Sequence, residues 1–249
     1  MIKHFKILFF LLIFASTCFS QSKSLNFKND TLLLHPKFSA FSSIEKENNN
    51  LFLLGISLKL KHNHKTNFNI TYDYLKIDNI KIIKNYYDSL LIYPNFNNKN
   101  VRLRYSINHQ FNSIFKIDVG KGNNFIGEGH RSLLLSNVQA PYSYVKLTTK
   151  FGKVTYSNLY SSLYNLNNNN LVKKFSATHY LNIDINSNIN IGIFESVLWQ
   201  SRTDTYNRGY EISYLNPIIF YRPVEYSMGS NKGNALMGLN LSVKIKNHK

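Results

Sequence analysis

The chain has 249 residues, with 30 lysines and arginines against 13 acids, a formal net charge of +17 and one cysteine, Cys18. A lone cysteine excludes an intrachain disulfide and cysteine-ligated zinc, and its place inside an export signal leaves the mature chain without a thiol nucleophile. The basic excess points to anionic partners, although abundant Lys, Asn and Ile also fit a compositional bias running through the whole chain.

Residues 1–20 read as a secretory signal peptide. Lys3, His4 and Lys6 precede an apolar run from Ile7 to Ala15 and a more polar end, with cleavage expected between Ser20 and Gln21. The run is too short to cross a bilayer, which takes roughly 20 residues. A lipoprotein signal with Cys18 as the lipidated residue is the alternative, but Thr17 is a poor residue before such a cysteine. Taking Lys3 and Lys6 from +17 leaves +15 on the mature chain. Export makes nucleic acid the least expected anionic partner. Acidic surface polysaccharide and lipopolysaccharide phosphate remain.

Residues 21–50 hold one apolar knot, Leu32-Leu33-Leu34, and end in Asn48-Asn49-Asn50, which reads as a lead-in segment or a short first strand. From Leu51 onward apolar and polar residues alternate. Ile56, Leu58 and Leu60 alternate with Ser57, Lys59 and Lys61, and Val101, Leu103, Tyr105 and Ile107 with Arg102, Arg104, Ser106 and Asn108. Similar runs occur at 68–74, 115–119, 144–151, 154–162, 177–186, 189–197 and 239–246, nine in all. A period of two over such lengths predicts strands with one apolar and one polar face.

The connections alternate as well. Tight ones are expected near Asn63–Thr66, Phe111-Asn112, Gly152-Lys153 and Ser187-Asn188, and long ones over 76–100, 120–143, 163–176 and 198–238. Short turns on one side and long loops on the other predict an all-β antiparallel transmembrane outer-membrane β-barrel over 51–249. No segment after the signal offers a membrane-spanning helix. Tyr72, Tyr74, Tyr105, Tyr144, Tyr156, Tyr160 and Tyr180 would form its aromatic girdles, and Lys59, Arg102, Arg104, Lys116 and Lys146 would line a lumen. A soluble β-sandwich is the alternative. It rarely needs four long loops on one edge.

Two connections are too apolar for free loops and are expected to plug the barrel: 120–143 and 198–238. In the first, glycines at 120, 122, 127 and 129 surround Glu128, His130 and Arg131, the composition of a tight turn presenting charges. In the second, Asn216 and Pro217 look like an N-cap followed by the first helical residue, and Pro223 limits that helix to a turn or two. Glu128, His130, Arg131 and Ser132 contain the ingredients of acid–base or nucleophilic chemistry. Adjacent residues rarely converge on one substrate atom, and nothing in the spacing selects Asp204 or His179 as a partner, so no catalytic residue is assigned. His130, Arg131 and Arg222 are instead the candidates for ligand contact. Gly127, Glu128, Gly129, Ser132, Asn216, Pro217 and Glu225 are expected to build the plug, with Arg222 and Glu225 answering Glu128 and Arg131 in one buried polar network. His62 and His64 read as a solvated pair, so neither metal nor cofactor is assigned.

Five blocks in the order DVGKGNNFIGEGHRSLLLS, APYSYVKL, SATHYLNIDINSNINIGIFESVLWQ, YLNPIIFYRPVEYSMGS and NALMGLNL resemble the Wzi-type capsule assembly family. The likeness is nearest to its Bacteroidetes branch, which includes RemB-like gliding-motility-associated proteins. It covers about residues 101–243. It implies a plugged barrel in the cell outer membrane, contacting its lipids, that attaches or organises extracellular polysaccharide and is not an enzyme. A porin and an outer-membrane lipid or glycan hydrolase are the other functions this architecture would allow. Single-chain bacterial barrels have an even strand count. Nine visible strands therefore lead to the expectation of an N-terminal portion of a longer protein, or a truncated product.

Overall fold

The computed structural model describes residues 23–26, 30–43, 49–77, 99–128, 132–137, 140–167, 170–202, 209–217, 221, 223–224 and 233–244. Among them are eleven strands: β1 (Lys23–Asn26), β2 (Asp30–Ser43), β3 (Asn49–His62), β4 (Thr66–Ile77), β5 (Lys99–Gln110), β6 (Phe115–Gly122), β7 (Tyr142–Phe151), β8 (Val154–Asn167), β9 (Asn170–Asp184), β10 (Ile189–Gln200) and β11 (Asn234–Val243). Hydrogen-bonded neighbours follow chain order from β1 to β11, and the fold is an all-β antiparallel sheet. One 3-10 turn, Ile212–Leu215, lies between β10 and β11.

Two strands exceed the nine expected, because 21–50 is more than a lead-in. β1 and β2 pair from Lys23↔Leu34 to Asn26↔Thr31, and β2 pairs along its whole length with β3. Three consecutive leucines hide the period of two, and Pro36 argues against a strand because it lacks an N–H to donate. Among the described residues the β1 ladder stops at Leu34, and Pro36 is paired with Ile56 on its β3 side.

The expected long connection over 163–176 is also a correction. β8 and β9 continue to Asn167↔Asn170, leaving a short connection. The asparagines there are poor strand formers, but the ladder is made by backbone groups and needs no particular side chain. The 198–238 connection is shortened in the same way, since β10 runs to Gln200 and β11 starts at Asn234. At the β3–β4 turn, Asn63 and His64 both have positive φ. The Asp30 carboxylate holds that turn, accepting from His62 Nδ1 at 3.0 Å and from the Asn63 N–H at 3.3 Å. His62 is therefore anchored, not simply solvated.

The chain divides into two compact units, residues 1–107 and 108–249. In the first, the apolar face is the exposed one. Leu54, Ile56, Phe68, Ile70, Tyr72, Val101, Leu103, Tyr105 and Ile107 are solvent-accessible, whereas Ser57 and Asp73 on the other face are only 4% and 2% exposed. That arrangement inverts a soluble sheet, in which the apolar side of each strand is the covered one.

In the second unit the same parity runs from β6 to β11, with Val119, Val145, Leu147, Ile191, Ile193, Leu239, Leu241 and Val243 exposed on the apolar face. Here both faces also carry a core. On the apolar face Phe175, Ala177, Val197 and Trp199 are covered by Tyr210, Tyr214 and Tyr221 from the β10–β11 connection. On the polar face Tyr142, Tyr144 and Leu159 pack with Leu135 from the β6–β7 connection. Ala177 is fully buried between its register partners Tyr160 and Val197, and its small side chain lets the tyrosines close over the sheet. Ala177→Leu is expected to cost about 1–3 kcal/mol by overpacking. It should also red-shift the emission of Trp199, the only tryptophan, read in denaturant titrations followed by fluorescence.

Candidate functional site

The polar face of the first unit is a bonded surface. Arg104 donates to Asp73 Oδ2 at 2.6 Å, Ser57 and Thr71 share a hydrogen bond of 3.0 Å, and Asn69 Nδ2 donates to Ser106 Oγ at 3.1 Å. Gly55 makes room for the buried carboxylate, since a Cβ there would lie 2.6 Å from Asp73 Oδ1. Lys37, Lys59, Lys61, Arg102 and Arg104 share this face by register and parity, with Asp73 as the acid among them. The face is thus strongly cationic. The Nε atoms of Arg102 and Arg104 are buried without a partner among the described residues, which leaves these guanidiniums with donors to spare.

In the second unit the polar face carries Lys116, Asp118 and Lys146. Tyr144 donates to Asp118 Oδ1 at 3.0 Å, and Asp118 is the register partner of Lys146. Tyr144 and Tyr180 therefore belong to the polar face and not to an aromatic girdle, Tyr180 bonding Asn182 at 3.3 Å. Tyr72 and Tyr105 do lie exposed on the apolar face.

The glycine-rich connection folds onto that polar face. Ile126 and Leu135 exchange backbone hydrogen bonds of 2.9 and 3.2 Å, closing the loop between them, and Asn124 N–H donates to the Tyr142 hydroxyl at 3.2 Å. Gly127 has φ 115, where an L side chain is strained, and a Cβ would meet Ser132 Oγ at 2.1 Å. Ser132 turns back to accept from the Leu134 N–H at 3.0 Å. Of the three leucines, Leu135 packs on Tyr142, Tyr144 and Leu159, Leu134 sits where a side chain at Gly238 would be, and Leu133 is 96% exposed. Glu128 is exposed, contrary to its expected place in a buried network. Gly129, His130 and Arg131 lie outside the described residues.

The β10–β11 connection covers the opposite face. Tyr160 donates to the Leu215 carbonyl at 2.9 Å, Trp199 Nε1 to the Gly209 carbonyl at 3.3 Å, and Tyr156 to the Pro217 carbonyl. Burial pushes the Tyr210 and Tyr221 phenols up, so both remain neutral. Asn216 closes the 3-10 turn before it with extended backbone angles, which an N-cap also has, and Tyr221, Pro223 and Val224 beyond it are helical; Asn216 and Pro217 are exposed. Arg222, Glu225 and Asp204 fall outside the described residues. Leu159 and Tyr160 are adjacent in β8 and point to opposite faces, and the two connections bind one each. Their described parts are separated by the sheet. The residues expected to join them in one polar network, Arg131, Arg222 and Glu225, lie outside the described residues.

Sequence reasoning passed over one cluster. Asn158, His179 and Glu195 are register neighbours on β8, β9 and β10 and are at most 6% exposed. The Tyr221 ring lies on the imidazole with centroids 3.9 Å apart. His179 Nε2 and Asn158 Oδ1 have no hydrogen-bond partner among the described residues. An imidazole beside a carboxylate is acid–base chemistry in kind. Tyr221 covers the imidazole and Tyr214 packs against Tyr221, both at most 1% exposed. His179 lies on the face of the sheet opposite the one on which Leu135 packs. The available signal was Glu195 itself, an acid in the apolar register Ile191, Ile193, Val197, Trp199.

Arg104→Ala would leave the Asp73 carboxylate, 3% exposed, without its counter-charge. The loss is expected to be at or below about 3 kcal/mol, because a third of Arg104 already meets solvent. Asp73→Asn, which keeps an acceptor, should cost less, and Gly55→Ala should loosen the same pair; urea unfolding of the three variants orders them. No family model and no curated protein matches this chain.

Proposed function

We propose that the chain forms part of an outer-membrane β-barrel that binds or organises an anionic surface polysaccharide without turning it over. One observation carries this reading: outside the patch covered by Tyr210, Tyr214 and Tyr221, apolar side chains of alternating strands are exposed on one face in both units, while Ser57 and Asp73 on the other face are covered, the distribution a sheet needs when lipid meets one side and water the other. The resemblance of the five sequence blocks to the Wzi-type capsule assembly family supports the same conclusion. Lys37, Lys59, Lys61, Arg102 and Arg104 on one face, with Asp73 the one acid there among the described residues, favour a polyanion over a neutral glycan. The glycine-rich connection lying on the polar face speaks for an obstructed interior and against an open porin. The closure of the Asn158, His179 and Glu195 cluster speaks against a hydrolase.

Leu103→Arg tests the membrane half. On a soluble surface, replacing an exposed leucine by arginine changes stability by about 0.5 kcal/mol at most. Facing hydrocarbon near the bilayer midplane it costs about 2–4 kcal/mol. Urea unfolding of the chain refolded into phospholipid vesicles separates the two outcomes.

The ligand half is tested by affinity electrophoresis through polygalacturonate or neutral dextran. Retardation is expected in polygalacturonate only, weakening as salt screens the charges and weakening further in Lys59→Ala/Arg102→Ala. Equal retardation by dextran, or no effect of the double variant, would overturn it.

A further inference from the structure

The sheet of the second unit holds a cavity of about 290 Å³ on its polar face, beneath the glycine-rich connection. Leu134 and Leu135 form one wall, Leu159, Leu163, Phe194 and Leu198 the opposite one, and among the described residues no charged one lines it. One strip differs: Ser161, Ser176, Thr178 and Ser196 run across β8, β9 and β10 as register neighbours. Thr178 and Ser196 satisfy each other at 2.7 Å. Ser161 does not share in this. It is 4% exposed, and its hydroxyl has no hydrogen-bond partner among the described residues.

Three features of this space define what it would hold. Its volume is at the lower end of the roughly 300–1,000 Å³ of small-molecule sites, so the ligand is small. Its aliphatic walls suit a chain of methylenes. A sugar ring, with hydroxyls on every edge, would leave several of them unpaired against leucine. The described lining carries no cation for a carboxylate or phosphate, which favours a ligand whose buried end is neutral. The geometry points to a binding site for a neutral medium-length alkyl chain bearing a hydroxyl or ester oxygen, the chain lying among Leu135, Leu159, Leu163 and Phe194 and the oxygen bonded to Ser161. This site goes beyond the glycan-binding reading and does not depend on it, since cavity and hydroxyl strip are on a different set of strands from the cationic face of the first unit.

The test is photolabelling of the full chain, refolded in amphipol with its fold followed by Trp199 emission. The probe is a diazirine-bearing 1-decanol, and labelled peptides are mapped by mass spectrometry. Labelling should concentrate on peptides carrying Leu159, Ser161 and Phe194, compete with unlabelled 1-decanol, and be indifferent to glucose. Ser176→Phe, which fills the space, should abolish it. Ser161→Ala should weaken it about fivefold, the scale of one hydrogen bond. Labelling that is not saturable, that persists in folded Ser176→Phe, or that glucose displaces would overturn the proposal, as would equal labelling by decanoate and decanol.

Discussion

An antiparallel strand sends successive side chains to opposite faces, and its ladder leaves no freedom to change that parity short of a bulge. Everything functional in this chain follows from that constraint. Because Ser57, Asp73, Arg102 and Arg104 share one parity with their register partners, they meet as a bonded cationic surface. Because Leu54, Ile56, Leu103 and Ile107 share the other, they form an apolar surface that remains exposed. An exposed apolar face of this extent is the informative departure for a globular chain, and the proposed membrane location rests on it.

The same constraint separates the two long connections. A loop that returns to the sheet can satisfy only one face, and the choice is made by whichever side chains it offers. The β6–β7 connection offers Ile126, Leu134 and Leu135 to Tyr142 and Leu159 on the polar face, where smaller hydroxyl residues leave a cavity beneath it. The β10–β11 connection offers Tyr210, Tyr214 and Tyr221 to Phe175 and Trp199 on the other, and backbone carbonyls at Gly209, Leu215 and Pro217 accept from Trp199, Tyr160 and Tyr156. Aromatic side chains with a polar tip suit the sheet side of such a contact, since Trp199, Tyr160 and Tyr156 each offer a ring and still tie to the chain crossing them.

Strands whose alternation is clean were legible without coordinates, as at 101–108 and 144–151. Those at 30–43 and 163–176 were not, for opposite reasons. Pro36 and three adjacent leucines disguise the first, and asparagines disguise the second, yet backbone pairing overrides both. The folded-in glycine loop was legible from its leucines and glycines. Of the charge network expected there, Glu128 is the member described, and it is exposed. The row of Asn158, His179 and Glu195 could not be assembled from spacing, because it joins residues from three strands by register, although Glu195 marked itself by breaking an apolar series.

Local sequence by itself determined that this is an alternating, antiparallel chain with a cationic polar side, because side-chain parity and charge are properties of neighbouring residues. It also determined where backbone must turn tightly, as at Gly127 with its positive φ. Tertiary structure alone decided which parity is covered, which face each connection takes, and which residues of different strands become neighbours. Those outcomes depend on register and on contacts between segments far apart in the chain, and a side chain's parity says only that it has a face, not what that face will meet.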